Sequence, residues 1–298
     1  MLKEGNAGKV IPTHEQLLLI GSVGTAMTLS CQRQLGPMVY LPGVAACCVA
    51  MAARARRVRV NIFPATYGRI RGELMKSLTV AQMREADRRC IEDLGMPGVV
   101  LMNNAGAAVF AEIASGPVGV VCGKGNNGGD GFVVARLAML AGFETQVVLV
   151  ARPEEISGDA RVFMSVYRNL GGVLKSAPDE AAAAAAVRGL AECAVLVDAL
   201  LGTGTRGEVR GPVRTAIEAW PPVYTVAVDV PSGMNADTGE ACGLCIRADV
   251  TVTFAFAKRG FTVPAAQPFL GRLVVADIGI PPSCADGPCR KGTNVFVR

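Results

Sequence analysis

Three stretches of this sequence hold the residue types that chemistry needs: "GKGNNGGDG" at 123–131, "DALLGTGTRGEVRGP" at 198–212 and "DVPSGMNADTG" at 229–239. Each is rich in glycine, and each carries an Asp at or near the end of an apolar run. Glycines 123, 125, 128, 129, 202, 204 and 207 allow backbone N–H groups to approach a phosphate, and a helix opening at Asp130 would aim its positive end at the same place. Gly123, Gly125 and Gly128 satisfy the dinucleotide pattern G-x-G-x-x-G. The position after the second strand, where an acid would hold a ribose, reads Ala151 and Arg152, and the first loop has two Asn and Asp130 where small residues belong. A P-loop is excluded because no G-K-[ST] occurs. Asp198 and Asp229, beside Asn127 and Ser232, instead supply the oxygen donors that a hard cation accepts. Each Asp taken singly is as well explained as a helix cap or a loop hydrogen bonder, so it is the set that points to a site.

The elements that must position these loops are read from periodicity. Apolar strands are expected at about 117–123, 145–151, 193–198, 223–229, 249–256 and 272–277, alternating with helices near 131–141, 157–170, 179–191 and 211–219. Two further helices precede them. The first has Thr79 as N-cap and Gln82 three residues on, with Val80, Met83, Ala86, Cys90, Ile91 and Leu94 on one face, and the second runs from about Val99 to Ile113. The early strands are continuous apolar runs, as burial on both faces requires. The expected architecture is a three-layer α/β/α sandwich, a doubly wound, Rossmann-like, mostly parallel sheet with two extra N-terminal helices. In such a sheet the loops after the strands open onto one crevice.

The chain has 298 residues, is 51% hydrophobic and carries a net charge of +5. That excess is confined to residues 1–77, where ten Lys and Arg face three acids, against 20 basic and 22 acidic residues in the remainder. Residues 78–298 therefore have no basic surplus to favour nucleic acid. Residues 1–77, with "RARRVRV" at 54–60, have the character of an organelle-targeting leader or unstructured extension, which makes a mitochondrial or a cytoplasmic location the expectation. The apolar segment 35–53 is broken by Pro37 and Pro42, which argues against a membrane span. The ten cysteines show no disulfide spacing, and Cys242 and Cys245, although C-x-x-C, are expected to be reduced thiols. The single histidine, His14, lies in the first segment, so residues 78–298 cannot build a Ser/His/Asp or Cys/His system or a His-ligated metal. Proton transfer must use carboxylates, Lys, Tyr or water.

Taken in order, "GKGNNGGDGFVVARLAMLAG", "VDALLGTGTRGEVRGP", "VAVDVPSGMNADTGE" and "IRADVTVTFAFAKRGF" resemble the NAD(P)H-hydrate epimerase family, the YjeF N-terminal domain, from about Ser77 to Pro281. The resemblance implies interconversion of the R and S epimers of hydrated NADH and NADPH, so that an S-specific NAD(P)H-hydrate dehydratase can restore them. It implies that Asn126, Asn127, Gly128, Gly129 and Asp130, the loop Gly202, Thr203, Gly204, Thr205, Arg206, Gly207 and Glu208, and Asp229 contact the hydrate. It also implies that Asn127, Asp198 and Ser232 hold a potassium ion, and it allows a homodimer. Some members have a Lys after the second strand; here Ala151 and Arg152 stand there. Asp229 is the choice for the acid/base and Asp130 the reserve. A binding or scaffold module that retains the fold is the alternative.

Overall fold

The computed structural model describes residues 76–287 together with two short strands nearer the N-terminus. The chain divides into two units, Met1–Val60 and Asn61–Arg298. In the first, Leu17–Ile20 pairs antiparallel with Ala26–Leu29. His14, the apolar segment 35–53 and the basic run 54–60 lie outside the described residues. Among the described residues, no helix is long and apolar enough to cross a membrane.

The second unit is built on seven strands: β1 Val118–Cys122, β2 Thr145–Leu149, β3 Val173–Ser176, β4 Val195–Ala199, β5 Thr225–Val228, β6 Val250–Phe254 and β7 Arg272–Ala276. All neighbours run parallel, in the order β3-β2-β1-β4-β5-β6-β7. The order reverses between β1 and β4, and the crevice beyond the carboxyl ends of these two strands is where such sheets bind ligands. The longer helices are α1 Val80–Arg88, α2 Gly98–Phe110, α3 Asn126–Leu140, α4 Gly158–Asn169, α5 Glu180–Arg188 and α6 Gly211–Glu218. Leu101, Val109, Phe132, Val133, Phe163 and Tyr167 of α2, α3 and α4 close one core with Val118, Val120 and Val147 of the sheet. Ala183, Val187, Ala216 and Ile217 of α5 and α6 close the other with Val121, Val148 and Leu196. This is the expected three-layer arrangement, and alternate residues of β1 supply both faces.

Three local expectations need correction. The motif Asn126–Asp130 is the first turn of α3, not the loop before it, and the helix starts five residues earlier than periodicity suggested. A Cβ on Gly128 would stand 1.9 Å from the Gly123 carbonyl oxygen, and one on Gly131 would stand 2.6 Å from the Ala199 Cβ. These glycines bring the helix directly onto the strand ends, a use of glycine that looks like loop composition in sequence. Strand β3 was absent from the expected set. It is a four-residue edge strand with mostly exposed side chains, so it lacks the apolar run of its neighbours. Finally, Ile91 and Leu94 are 41% and 44% exposed, unlike Val80, Met83, Ala86 and Cys90. The π-helical turn Arg89–Asp93 that continues α1 adds a residue per turn and swings them off the buried stripe.

Helix α1 starts as expected. Thr79 Oγ1 accepts from the Gln82 N–H at 3.2 Å, and Gln82 Oε1 accepts from the Thr79 N–H at 2.9 Å. Just before it, Ser77–Leu78 pairs parallel with Ala257–Lys258, which draws the start of α1 beside the loop after β6.

Candidate active site

A cleft of about 810 Å³ opens beyond the strand ends, lined by α1, α2, the β1–α3 turn and the loops after β2, β4, β5 and β6. Of the sequence-expected contacts, Asn126, Asn127, Asp130, Gly202, Thr203, Gly204, Thr205 and Asp229 line it. Gly128, Gly129, Arg206, Gly207 and Glu208 do not. Gly128 and Gly129 are buried inside α3, where a Cβ on Gly129 would stand 2.6 Å from Met102 Sδ. Glu208 is turned toward α6, where it pairs with Arg214 at 3.0 Å. Ala151 lines the cleft after β2, with Glu155 further along the same loop. The Glu155 carboxylate is occupied by the Arg152 backbone N–H at 2.9 Å and by Lys124 Nζ at 3.5 Å.

The floor of the cleft is an ion pair that sequence reasoning did not assign. Lys258 Nζ lies 2.7 Å from Asp229 Oδ1, with the side chains 1% and 14% exposed. The same Oδ1 accepts from Thr253 Oγ1 at 3.0 Å, and Lys258 Nζ also reaches the carbonyls of Phe254 and Phe256, each at 3.4 Å. Asp229 has φ +63°, and its N–H donates to the Val252 carbonyl at 2.8 Å. Among the described residues, only Asp229 and Ala255 have positive φ without being glycine, and they follow the neighbouring strands β5 and β6. Backbone strain is thus concentrated where the Asp229–Lys258 pair is made, as it often is at functional sites. Lys258 stands in the quoted "FAFAKRGF", but no spacing rule connects it to Asp229.

Two more carboxylates face this pair. Asp130, from the first turn of α3, is 9% exposed. Burial, and then the charges of Asp229 and Asp87, raise its carboxyl well above the usual carboxylate range. Asp87 enters from α1 and was not singled out in the sequence. Burial pushes it up to about 6, Lys258 opposes the rise and Asp229 adds to it.

Asn127, Asp198 and Ser232 form a separate knot. Ser232 Oγ donates to Asp198 Oδ1 at 2.5 Å, and the Ser232 N–H donates to Oδ2 at 2.7 Å. The Leu201 N–H donates to Ser232 Oγ at 2.8 Å, and Asn127 Nδ2 donates to the Leu201 carbonyl at 2.9 Å. Asp198 and Ser232 are fully buried. Among the described residues no Lys or Arg pairs with Asp198, and burial raises its carboxyl to about 6 against the pull of the Ser232 and Leu200 donors. A buried carboxylate without a cationic partner, ringed by further oxygen atoms, has the donor chemistry of a hard-cation site. Among the described residues, no three His, Cys, Asp or Glu side chains are grouped so as to hold a metal by themselves.

Comparison with known proteins agrees on the fold and the family. A family model described as "YjeF-related protein N-terminus" matches residues 98–260. A Rhodopirellula baltica protein named NAD(P)H-hydrate epimerase is 40% identical over 210 residues, covering 68% of this chain and 84% of that protein. A Pirellula staleyi protein of the same name is 44% identical over 208 residues, covering 66% of this chain and 90% of that protein. A Moorella thermoacetica protein named bifunctional NAD(P)H-hydrate repair enzyme Nnr is 42% identical over 217 residues, covering 70% of this chain and 41% of that protein. The chain thus spans less than half the length of that bifunctional relative. The crystal structure of yeast ynu0 shares the fold, with a TM-score of 0.54 at 23% identity over 62% of this chain and 83% of that one.

Proposed function

The chain belongs to the family of the YjeF-related protein N-terminus, and on that premise we propose that it interconverts the R and S epimers of hydrated NADH and NADPH. The observation that carries this is the Asp229–Lys258 pair on the floor of a cleft at the switch point of the sheet. Inverting a carbon that bears both a hydroxyl and a ring nitrogen needs only that the C–O or the ring C–N bond open reversibly. The described residues supply acids and a Lys for that and contain no His. Asp229 is the acid/base: Lys258 and Thr253 fix the position of its carboxylate, so that it can exchange one proton with the substrate. The N-terminal end of α3 and Gly202–Gly204 line the cleft, where their backbone N–H groups would receive the diphosphate.

Asn127, Asp198 and Ser232 would hold potassium, whose charge would balance Asp198 and fasten the first turn of α3, the end of β4 and the loop after β5 to one another. The uncompensated burial of Asp198 supports this. The product would pass to an NAD(P)H-hydrate dehydratase. The bifunctional names of relatives that extend well beyond the length matched here support that partner. Residues 78–298 would carry the activity, since the described residues that line the cleft all lie in that span. The test is to supply mixed hydrate epimers to an S-specific dehydratase with and without this protein. Conversion of the whole mixture only in its presence is expected, and conversion of the S fraction alone in both cases would refute the proposal.

A further inference from the structure

Helix α1 and its π-helical continuation carry four acids, and three of them are paired. Glu85 meets Arg88 and Arg89, each at 2.8 Å, and Arg88 also reaches Glu92 at 2.8 Å and Asp93 at 3.8 Å. Asp87 has neither an ion pair nor a hydrogen bond with the described residues, although Arg84 lines the same wall three residues earlier. The helix holding it is fixed at both ends. The Val80 N–H donates to Asp237 Oδ1 at 2.8 Å, and Arg89 donates to the Cys284 carbonyl at 3.0 Å. A half-buried carboxylate on a fixed helix, left unpaired among paired neighbours and lining the cleft, contributes nothing visible to stability. It lies outside the residues that match the family model.

The chemistry gives it a task. If carbon 6 inverts by loss and return of water, the hydroxyl leaves from one face of the ring and arrives at the other, so proton transfer is needed on both faces. Asp229 stands at the strand-end floor, whereas Asp87 descends from the helical wall. Resting on the epimerase reading, we propose that Asp87 is a second catalytic carboxylate, acting on one face of the hydrate's ring while Asp229 acts on the other.

In one direction the Asp87 carboxyl gives its proton to the carbon 6 hydroxyl. The C–O bond breaks with its electron pair leaving on water, and the lone pair of the ring nitrogen forms a C=N iminium. Water on the opposite face then forms the new C–O bond, the C=N pair returns to nitrogen, and the Asp229 carboxylate takes the released proton. Atoms and electrons balance without oxidant or reductant, and the two carboxyls exchange roles in the reverse direction. Burial raises the Asp87 carboxyl to about 6, with Lys258 opposing and Asp229 adding to the rise, so that a fraction of the chains carries the proton near neutral pH; Arg84, Lys124, Asp130, Glu155 and Asp159 are the other charged groups lining the cleft among the described residues.

The unaltered chain, given one epimer in oxygen-18 water and stopped before equilibrium, should bring one solvent oxygen to carbon 6 per inversion, above the exchange seen without protein. Asp87→Asn should lower turnover in both directions by about 100-fold or more while hydrate affinity and melting temperature stay near wild type. Inversion with the original oxygen retained, wild-type turnover of Asp87→Asn, or lost affinity at unchanged turnover would each overturn the proposal and leave the epimerase reading standing. A wild-type chain inert toward both epimers would remove that reading and this one with it. Should Asp87→Asn not fold, Asp87→Glu, which displaces the carboxyl, should lower turnover at near-wild-type affinity; wild-type turnover of that variant, or retention of the original oxygen, would overturn the proposal.

Discussion

Asp198 and Asp229 stand at the ends of neighbouring parallel strands, yet the chain treats them oppositely. Asp198 is fully buried and, among the described residues, receives only hydrogen bonds, from Ser232 and Leu200. Asp229 lines the cleft and has a buried Lys at 2.7 Å. One charge is balanced from within the chain and is open to a substrate. The other is closed to substrate and unbalanced, which is the condition for drawing in a cation. Similar positions in a sheet do not make similar sites, because the neighbours that arrive from elsewhere in the chain decide which charge is compensated.

The largest effect that separates the two should come from Lys258→Met. It leaves the Asp229 carboxylate without its cation in a nearly closed environment, which typically destabilises by about 3–5 kcal/mol. The midpoint of denaturant unfolding should fall accordingly. Adding Asp229→Asn to Lys258→Met should restore much of the loss, because the stranded charge is then gone. A single variant as stable as wild type would mean that Lys258 does not balance Asp229.

Next in size is Asp229→Asn itself. Asn tolerates the left-handed backbone that Asp229 adopts at φ +63°, so the exchange removes the titratable proton without adding strain. Turnover should fall by about 100-fold or more, or about 2.7 kcal/mol in the barrier, with hydrate affinity largely intact. Lost affinity at near-normal turnover would make Asp229 an anchor of the ribose or ring, and Asp130→Asn would become the variant to measure.

The sequence reveals these regions unequally, for a physical reason. Asn127, Asp198, Asp229 and Ser232 follow apolar strands in glycine-rich loops, so local pattern plus the rule that strand ends face one crevice is enough to gather them. The Thr79–Gln82 capping box and six of the seven strands are legible in the same local way. Lys258 and Asp87 are not. They line the same cleft as Asp229, and a two-residue parallel pairing, Ser77–Leu78 with Ala257–Lys258, holds their segments together although these lie about 180 residues apart in the sequence. No periodicity records a contact of that kind. The glycines of Asn126–Asp130 mislead for a related cause: their composition looks like a loop, whereas Gly128 is required by the closeness of α3 to the Gly123 carbonyl.

The smallest effect belongs to the knot, and it must be read as a difference between salts. Asp198→Ala removes the acceptor for the Ser232 N–H and for the Leu200 N–H, so some stability is lost whatever ion is present, and the melting temperature in one buffer says little. A bound ion instead stabilises the folded chain by an amount set by its concentration relative to its affinity, about 1.4 kcal/mol at ten times the dissociation constant. The wild-type chain should therefore melt a few degrees higher in potassium chloride than in tetramethylammonium chloride at matched ionic strength. Asp198→Ala should melt at one temperature in both, whereas Asp229→Asn, outside the knot, should keep the wild-type difference. Equal melting of the wild-type chain in the two salts would show that the hydrogen bonds of Ser232 and Leu200 suffice for Asp198, and the contrast between the two carboxylates would then lie in burial alone.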